Sequence, residues 1–337
     1  MLEIKKNYSL KNLNTFGLDI SARLFARARN MKDLTGFLSG GYLKKHDFLI
    51  LGKGSNILFT GDFEGVVFQP DIKGIEIVEE YNQTAVVEAG AGEDWDDFVQ
   101  WCVSMGLGGV ENLSYIPGST GSAPIQNIGA YGAEAGNVIE KVNFIDLESL
   151  ESKHAGRSEC RFGYRDSIFK RDLKNKVIIT SVVFRLSKIP FLNTSYGNLK
   201  EETEKLGKID LENIRKAVIS IRRSKLPEPS DLGNAGSFFK NPVVPDPFVR
   251  KLKESFSNMP VYPLKNGTSK IPAGWLIEKC GWKGKRKGDA GVHSKQALVL
   301  VNYGGAGGNE IFDLATEIRS SVLEKFGIDL EPEVVII

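Results

Sequence analysis

The run Tyr115-Ile116-Pro117-Gly118-Ser119-Thr120-Gly121-Ser122-Ala123-Pro124-Ile125-Gln126-Asn127-Ile128-Gly129-Ala130-Tyr131-Gly132 holds four glycines and no charged side chain. Glycine lets a backbone turn left-handed and come close to a ligand. Successive exposed N–H groups on such a loop form a concavity that binds anions. Without Asp or Glu, nothing in the loop repels a phosphate. The chemistry this suggests is a pyrophosphate cradle, with a long surface turn as the alternative. Ile116, Ile125 and Ile128 favour a loop packed into the body of the protein. A loop of this length in a compact domain is usually functional or disordered, and its lack of charge argues against disorder.

Five smaller groups are weighed for chemistry. Gly52-Lys53-Gly54-Ser55-Asn56 is a second tight turn with backbone donors, a Ser and an Asn. Residues 160–167 set Arg161 and Arg165 around Gly163 and Tyr164. A guanidinium fork suits a carboxylate or phosphate, although a surface pair with Asp166 fits the spacing equally well. Ser237 follows a small-residue turn and precedes Phe238-Phe239, without the G-x-S-x-G of a hydrolase elbow; alone, it reads more readily as a turn residue. Glu333 stands at the start of the apolar tail Glu333-Val334-Val335-Ile336-Ile337, either as an edge residue or as a placed acid. The basic run Lys283-Gly284-Lys285-Arg286-Lys287 lacks interleaved aromatics and reads as a solvated loop.

The elements that must position these groups are legible in the hydrophobic pattern. Residues 48–51 form a short apolar strand entering the Gly52 turn, and short strands follow at 66–68, 74–78 and 84–87. Over 94–105, Trp95, Phe98, Val99, Cys102 and Val103 line one face of a helix, which makes Cys102 a core residue. Acidic residues at its start and Gly106 after its end agree with capping and dipole preferences. Strands are expected at 138–145 and 177–186. From about residue 200, helices alternate with short strands: Ile214, Val218 and Ile221 mark a helix stopped by Pro227, 273–280 a short helix, 297–301 a buried strand. Ile311, Ala315, Ile318 and Val322 mark a last helix ended by Gly327, and 333–337 a terminal strand. A domain boundary is placed near 190–210.

Composition excludes several classes. At 337 residues, with 41% hydrophobic and 26% charged residues, the chain is an ordinary globular protein of two or three domains. A net charge of +2 gives no general attraction to nucleic acid or membrane. No apolar run approaches the roughly 20 residues of a membrane span, and the N-terminus lacks a signal-peptide core. Cys102, Cys160 and Cys280 form neither a disulfide framework nor a metal site, and His46, His154 and His293 show no ligand spacing. No metal is expected, and a reducing cytoplasm fits. Neither G-x-G-x-x-G nor G-x-x-x-x-G-K-[ST] occurs, so the commonest nucleotide-binding folds are disfavoured.

Taken in order, the motifs resemble one family, the UDP-N-acetylenolpyruvoylglucosamine reductases. They are Asn14-Thr15-Phe16-Gly17, Leu51 with the Gly52–Asn56 turn, the 116–132 loop, residues 160–167, Ala235-Gly236-Ser237-Phe238-Phe239-Lys240-Asn241-Pro242, Ala273-Gly274-Trp275-Leu276-Ile277-Glu278 and Glu331-Pro332-Glu333-Val334. Tyr196-Gly197 resembles the substrate-capping tyrosine loop of the family's first subtype. The resemblance implies an α/β (α+β) fold: a two-lobed FAD-binding domain of the vanillyl-alcohol-oxidase/PCMH type over 1–195, with lobes near 1–65 and 66–195. It also implies a smaller α/β substrate-binding domain over 205–327 and a C-terminal strand, 328–337, contributing to the active site.

The same resemblance implies reduction of UDP-N-acetylenolpyruvoylglucosamine to UDP-N-acetylmuramate by NADPH through bound FAD, in peptidoglycan precursor synthesis, by a cytoplasmic monomer. Hydride addition at C3 of the enolpyruvyl group leaves negative charge at C2, delocalised into the carboxylate. Arg165 is carried over as the cation on that carboxylate, Glu333 as the partner in enol stabilisation and Ser237 as the acid that protonates C2. FAD contacts are carried to Gly52, Lys53, Gly54, Ser55, Asn56, Pro117, Gly118, Ser119, Thr120, Gly121, Ser122, Gln126, Asn127, Ile128, Gly129, Ala130, Tyr131, Gly132 and Arg165. UDP-sugar contacts are carried to Tyr164, Tyr196, Lys225 and Asn241. Lys53 departs from the Glu or Gly common at its position, and a cation there suits a pyrophosphate. Two other readings compete. An FAD-dependent oxidase has no need of a carbanion-protonating serine. A nucleic-acid-binding module using Arg222, Arg223, Lys225 and the 283–287 run lacks both net charge and motif.

Overall fold

A computed structural model describes residues 2–337, which gather into two compact units. The first takes the chain up to Tyr8, then Ala22–Lys53 and Phe63–Ser224; the second takes Ser9–Ser21, Gly54–Asp62 and Lys225–Ile337. The units thus cross the linear division read from sequence, and the first continues past 190–210 through most of the Leu211–Lys225 helix.

The first unit is built on two sheets. One orders strands Ile4–Ser9, Ser21–Ala28, Phe63–Pro70 and Phe48–Ile50, the last three parallel. Parallel strands buried on both faces read as continuous apolar runs, and Val66, Val67 and Phe68 are fully buried. The Met31–Ser39 helix covers this sheet, stacking Phe37 on Phe68 at 4.4 Å between ring centroids. The other sheet, ordered Ser152–Gly156, Ile139–Asp146, Val177–Ser187, Thr84–Gly90, Ile75–Glu80, is antiparallel. The Trp95–Ser104 helix forms as its periodicity predicts: Asp94 caps it by accepting from the N–H groups of Asp96 and Asp97. Its buried face packs Phe98 on Phe184 of the long Val177–Ser187 strand, ring centroids 4.6 Å apart. Each such buried aromatic contributes roughly 1.5–3 kcal/mol.

The second unit begins with a loop closed by one buried carboxamide. Asn14 Nδ2 donates to the carbonyls of Leu10 (2.9 Å) and Leu18 (3.0 Å), and its Oδ1 accepts from Leu18 N–H at 2.9 Å. The loop then joins the C-terminal strands: Asn234 N–H donates to Thr15 O, and Asn302 Nδ2 to Phe16 O, both at 2.9 Å. A Cβ on Gly233 would lie 2.2 Å from Phe16 O, so only glycine admits this approach. Strands Gly233–Ser237, Val299–Asn302, Ala290–Val292 and Arg286–Lys287 make a four-stranded sheet, and Val243–Pro245, Thr268–Lys270 and Tyr262–Pro263 a three-stranded one. The Gly308–Phe326 helix ends at Gly327, which caps it at φ +67°.

The expected 333–337 strand is shorter. Only Val335–Ile336 pairs, parallel to Ile57–Leu58, while Glu333 lies in a bend. The reason is that Glu333 N–H is already spent on Phe238 O at 2.8 Å, so residue 333 cannot extend the ladder.

Candidate functional site

The uncharged 115–132 loop is ordered by backbone turn bonds together with side-chain-to-backbone bonds, and it ends in a two-residue strand, Gly129–Ala130, paired with Ala133–Glu134. Its centre is a single 3-10 turn, Thr120–Ser122, closed by Ser119 and Ser122: Ser122 Oγ donates to Ser119 O at 2.7 Å and accepts from Ser119 N–H at 3.1 Å. Two backbone bonds dock the turn on the strand end before the helix, Thr120 N–H to Glu93 O and Gly121 N–H to Ala91 O, each 2.9 Å. A Cβ on Gly121 would meet that of Ala91 at 2.6 Å, so the contact requires glycine.

Gly52 faces this turn: a Cβ there would stand 3.0 Å from Ser119 Oγ and 3.7 Å from Ser122 Cβ. Gln69 Nε2 holds the Gly52 carbonyl at 2.7 Å and is itself oriented by Arg27. Gly52 therefore leaves open a corner lined by serine hydroxyls, with Lys53 Nζ 3.9 Å from Asp94 at its edge. Hydroxyls, backbone and a lysine, with no carboxylate in the loop, fit a group carrying phosphate. The 52–56 turn is divided: Gly52 and Lys53 belong to the first unit, Gly54, Ser55 and Asn56 to the second. There, Gly54 takes φ +64° against Leu13 O, which would lie 1.9 Å from a Cβ.

The end of the loop is tied to the 160–167 motif. Buried Asn127 donates to Glu134 Oε2 (2.9 Å) and Gly163 O (3.0 Å) and accepts from Gly136 N–H (2.7 Å). Ser167 Oγ donates to Ile125 O at 2.6 Å. Arg165 Nη2 donates to Gly129 O at 2.8 Å, its guanidinium 5.5 Å from the Tyr164 ring centroid. Asn127, Tyr131 and Arg165 all hold positive φ, at 46°, 48° and 54°. Non-glycine residues in that region cost about 1–3 kcal/mol each and gather at functional sites.

The Leu211–Lys225 helix anchors the loop's first residue. Ile214, Ala217, Val218 and Ile221 are buried, while Arg215 makes a two-pronged ion pair with Asp96 at 2.6 and 2.9 Å. Arg222 Nε donates to Tyr115 O at 2.8 Å, and the Arg223 guanidinium lies 4.9 Å from the Tyr115 ring centroid. Tyr115 itself is left-handed at φ +61°. Burial pushes the Tyr131 phenol up and the Arg222 charge opposes it, with exposed Tyr196 beside it in an edge-on ring contact at 5.8 Å.

In the second unit, Ser237 ends the Gly233–Ser237 strand at a bulge. Register shifts between Asn234 and Ser237, with Gly236 at φ +68°. A bulge re-aims the following side chain. Phe238 and Phe239, both 1% exposed, fix this end in the core, and the Phe238 carbonyl accepts from Glu333 N–H. Asn56 Nδ2 donates to Glu333 O at 3.1 Å. The fold thus brings Ser237, Asn56 and Glu333 into one backbone neighbourhood. Asn241 Oδ1 accepts from Ala273 N–H at 2.9 Å, the start of the Ala273–Lys279 helix. Lys225 is exposed at the end of its helix.

The remaining features are structural. Burial pushes the Cys102 thiol well above its ordinary range and that of Cys160 to about 12. The basic run is exposed and paired: Lys283 with Glu278, Arg286 with Asp289, Lys287 with Glu317. A cavity of about 600 Å³ is lined by Asn127, Glu134, Arg157 and Arg161 among others. Only Asn127 of its lining belongs to the predicted cofactor set, and that carboxamide is consumed within the fold. Among the described residues no group of His, Cys, Asp and Glu could hold a metal ion, and no helix is long and apolar enough to cross a membrane. Asn112, Arg215 and Gln69 escaped the sequence reading, because one buried polar residue leaves no periodic trace.

Comparison with known proteins fits this geometry. The profile described as "FAD binding domain" matches residues 22–149, and "UDP-N-acetylenolpyruvoylglucosamine reductase, C-terminal domain" matches 228–337. The chain is similar to the UDP-N-acetylenolpyruvoylglucosamine reductases of Flavobacterium johnsoniae, 46% identical over 100% of both chains, and Bacteroides fragilis, 46% identical over 98% of this chain and 99% of the other. In structure it resembles the reductase of that name from Thermus caldophilus, with a TM-score of 0.69 at 23% identity over 100% of this chain and 98% of the other. That likeness supports the fold, a mixed α/β FAD-binding architecture. The chain belongs to the UDP-N-acetylenolpyruvoylglucosamine reductase family of FAD-dependent oxidoreductases.

Proposed function

We propose that the chain reduces UDP-N-acetylenolpyruvoylglucosamine to UDP-N-acetylmuramate with NADPH as hydride donor, as a cytoplasmic monomer in peptidoglycan precursor synthesis. The observation that carries the reading is the meeting of Ser237, at a bulge, with the Glu333 bend through the Phe238 O–Glu333 N–H bond. Reducing an enol ether conjugated to a carboxylate needs a proton donor and groups that stabilise an enolate, and this pairing offers both kinds.

Bound FAD supplies a carrier that takes a hydride from NADPH and passes it on. The protein's own groups do the rest. The Gly52 corner and the 117–122 turn bind the pyrophosphate, with Gln126–Gly132 continuing the cofactor contact; Gly54, Ser55 and Asn56 are carried as further cofactor contacts. As hydride reaches C3, charge develops at C2 and in the carboxylate. Arg165, held by Gly129 O and flanked by the Tyr164 ring, meets the carboxylate, and Glu333 completes enol stabilisation. Preorganised charge of this kind is usually the largest catalytic term. Ser237 Oγ–H protonates C2, and such general acid help is typically worth about 10²–10⁴ in rate. Tyr164, Tyr196, Lys225 and Asn241 contact the UDP-sugar, Tyr196 as the capping residue of the first subtype.

The test is anaerobic. NADPH should bleach the flavin absorbance of the purified protein, and UDP-N-acetylenolpyruvoylglucosamine should then restore it with one equivalent of UDP-N-acetylmuramate formed. A reduced flavin that responds only to oxygen would place the chain among oxidases instead.

A further inference from the structure

Asn112 lies in the short turn Glu111–Leu113, outside every motif that carried the functional reading. It is 3% exposed, and its Nδ2 donates twice: to Tyr131 O and to Asn193 O, each at 2.8 Å. The acceptors belong to different working loops. Tyr131 closes the predicted cofactor loop, and Asn193 stands three residues before Tyr196, the predicted substrate cap. Both amide hydrogens of one side chain are thus used to join them, one acceptor lying 19 and the other 81 residues further along the chain.

Other bonds make the junction stiff. Asn193 Nδ2 returns to the cofactor loop, donating to Gly132 O at 3.3 Å. Asn193 Oδ1 accepts from Ser195 N–H at 3.1 Å and Ser195 Oγ at 2.7 Å, which forms the turn leading into Tyr196. The Tyr131 and Tyr196 rings then meet edge-on. Beneath them, Tyr131 and Leu192 pack on the buried cluster of Leu199, Ile214, Ala217, Val218 and Ile221. Every link belongs to the first unit. By contrast, Ile189 and Phe191 immediately upstream are 70% and 90% exposed, so the segment has little apolar anchorage before residue 192. The carboxamide junction thus adds to the Leu192 packing in fixing its position.

We infer that Asn112 is a positioning residue that registers the Tyr196 loop on the flavin loop, so that the loop is preset for the UDP-sugar. The inference rests on the reductase reading above. A preset loop spares the ligand the cost of ordering it, and a buried carboxamide is costly to replace because its two acceptors are left unsatisfied. Loss of Asn112 should therefore appear in substrate affinity and leave flavin reduction alone.

The experiment compares wild type, Asn112→Ala and Asn193→Ala in separated half-reactions. In wild type, NADPH reduces the flavin and UDP-N-acetylenolpyruvoylglucosamine reoxidises it; failure of either step overturns the reductase reading, before the variants are considered. In both variants the FAD content and the rate of flavin reduction should match wild type. The substrate concentration for half-maximal reoxidation should rise about tenfold, with the limiting rate changed less than threefold, as expected for one to two lost hydrogen bonds. Asn193→Ala serves as the independent arm if Asn112→Ala does not fold, since Asn193 is only partly buried. Unchanged half-maximal concentrations, or a loss confined to flavin reduction, would overturn the role of Asn112.

Discussion

Two parts of the molecule hold functional groups by different means. The 115–132 loop adds to its backbone turn bonds a set of side chains reaching backbone: Ser122 on Ser119, Asn127 on Gly163 and Gly136, Ser167 on Ile125, Asn112 on Tyr131. The Ser237 end of its strand and the Glu333 bend are held chiefly by backbone on backbone: Phe238 N–H to Leu298 O, Glu333 N–H to Phe238 O, Lys240 N–H to Glu331 O. A backbone-held site tolerates changes of side chain as long as φ and ψ survive. Where a side chain holds the backbone, its loss weakens the segment locally, because the freed carbonyls or N–H groups are buried.

The largest expected effect tests chemistry rather than shape. Ser237→Ala should slow flavin reoxidation by substrate by about 10²–10⁴ while reduction by NADPH continues near the wild-type rate. Stopped-flow traces of the two half-reactions measure it, and equal losses in both would remove Ser237 from proton donation. Next, Asn127→Ala deletes three hydrogen bonds of a buried carboxamide. It should cost about 2–4 kcal/mol of unfolding free energy, with weakened FAD retention, read by urea denaturation and flavin release. Gly236→Ala should cost only about 1–2 kcal/mol, since its φ of +68° is strained for alanine while nothing lies within 4 Å of the added Cβ. Were Gly236→Ala the more damaging of these two, the contrast between side-chain-held and backbone-held regions would collapse. The smallest effect is chemical: a thiol reagent at pH 8 should leave Cys102 and Cys160 unmodified in the native protein, because burial keeps both thiols protonated. Rapid modification of either would show that this core opens.

Much of the candidate site was legible because its residues are marked by local composition. An uncharged Gly-Ser-Thr run, a serine between small residues and aromatics, and an acid before an apolar tail stand out without any knowledge of contacts. Helices were also legible, since Trp95, Phe98, Val99 and Cys102 repeat with the period of the face they bury. Other assignments depended on partners. Asn241 appears as a UDP-sugar contact in the sequence reading, and its Oδ1 is used to start a helix at Ala273. Asn127 appears as a cofactor contact, and its carboxamide is engaged by Glu134, Gly136 and Gly163 beyond the loop. Glu333 appears in a strand, and its amide is diverted to Phe238.

The order of motifs along the chain determined the family, and with it an FAD-binding fold that lacks the usual glycine fingerprint. The apolar periodicities determined which segments became helices and strands. Tertiary structure alone decided that Asn14–Phe16 belongs with strands some 220–290 residues later, as in the Phe16–Asn302 bond across 286 positions. It alone decided that Asn112 joins two loops, and that Gly52 and Gly54 fall in different units of one short turn. The physical reason is the range of the forces. Propensity and amphipathic period are properties of neighbouring residues, whereas a buried amide finds its acceptor only after distant backbone has been packed around it.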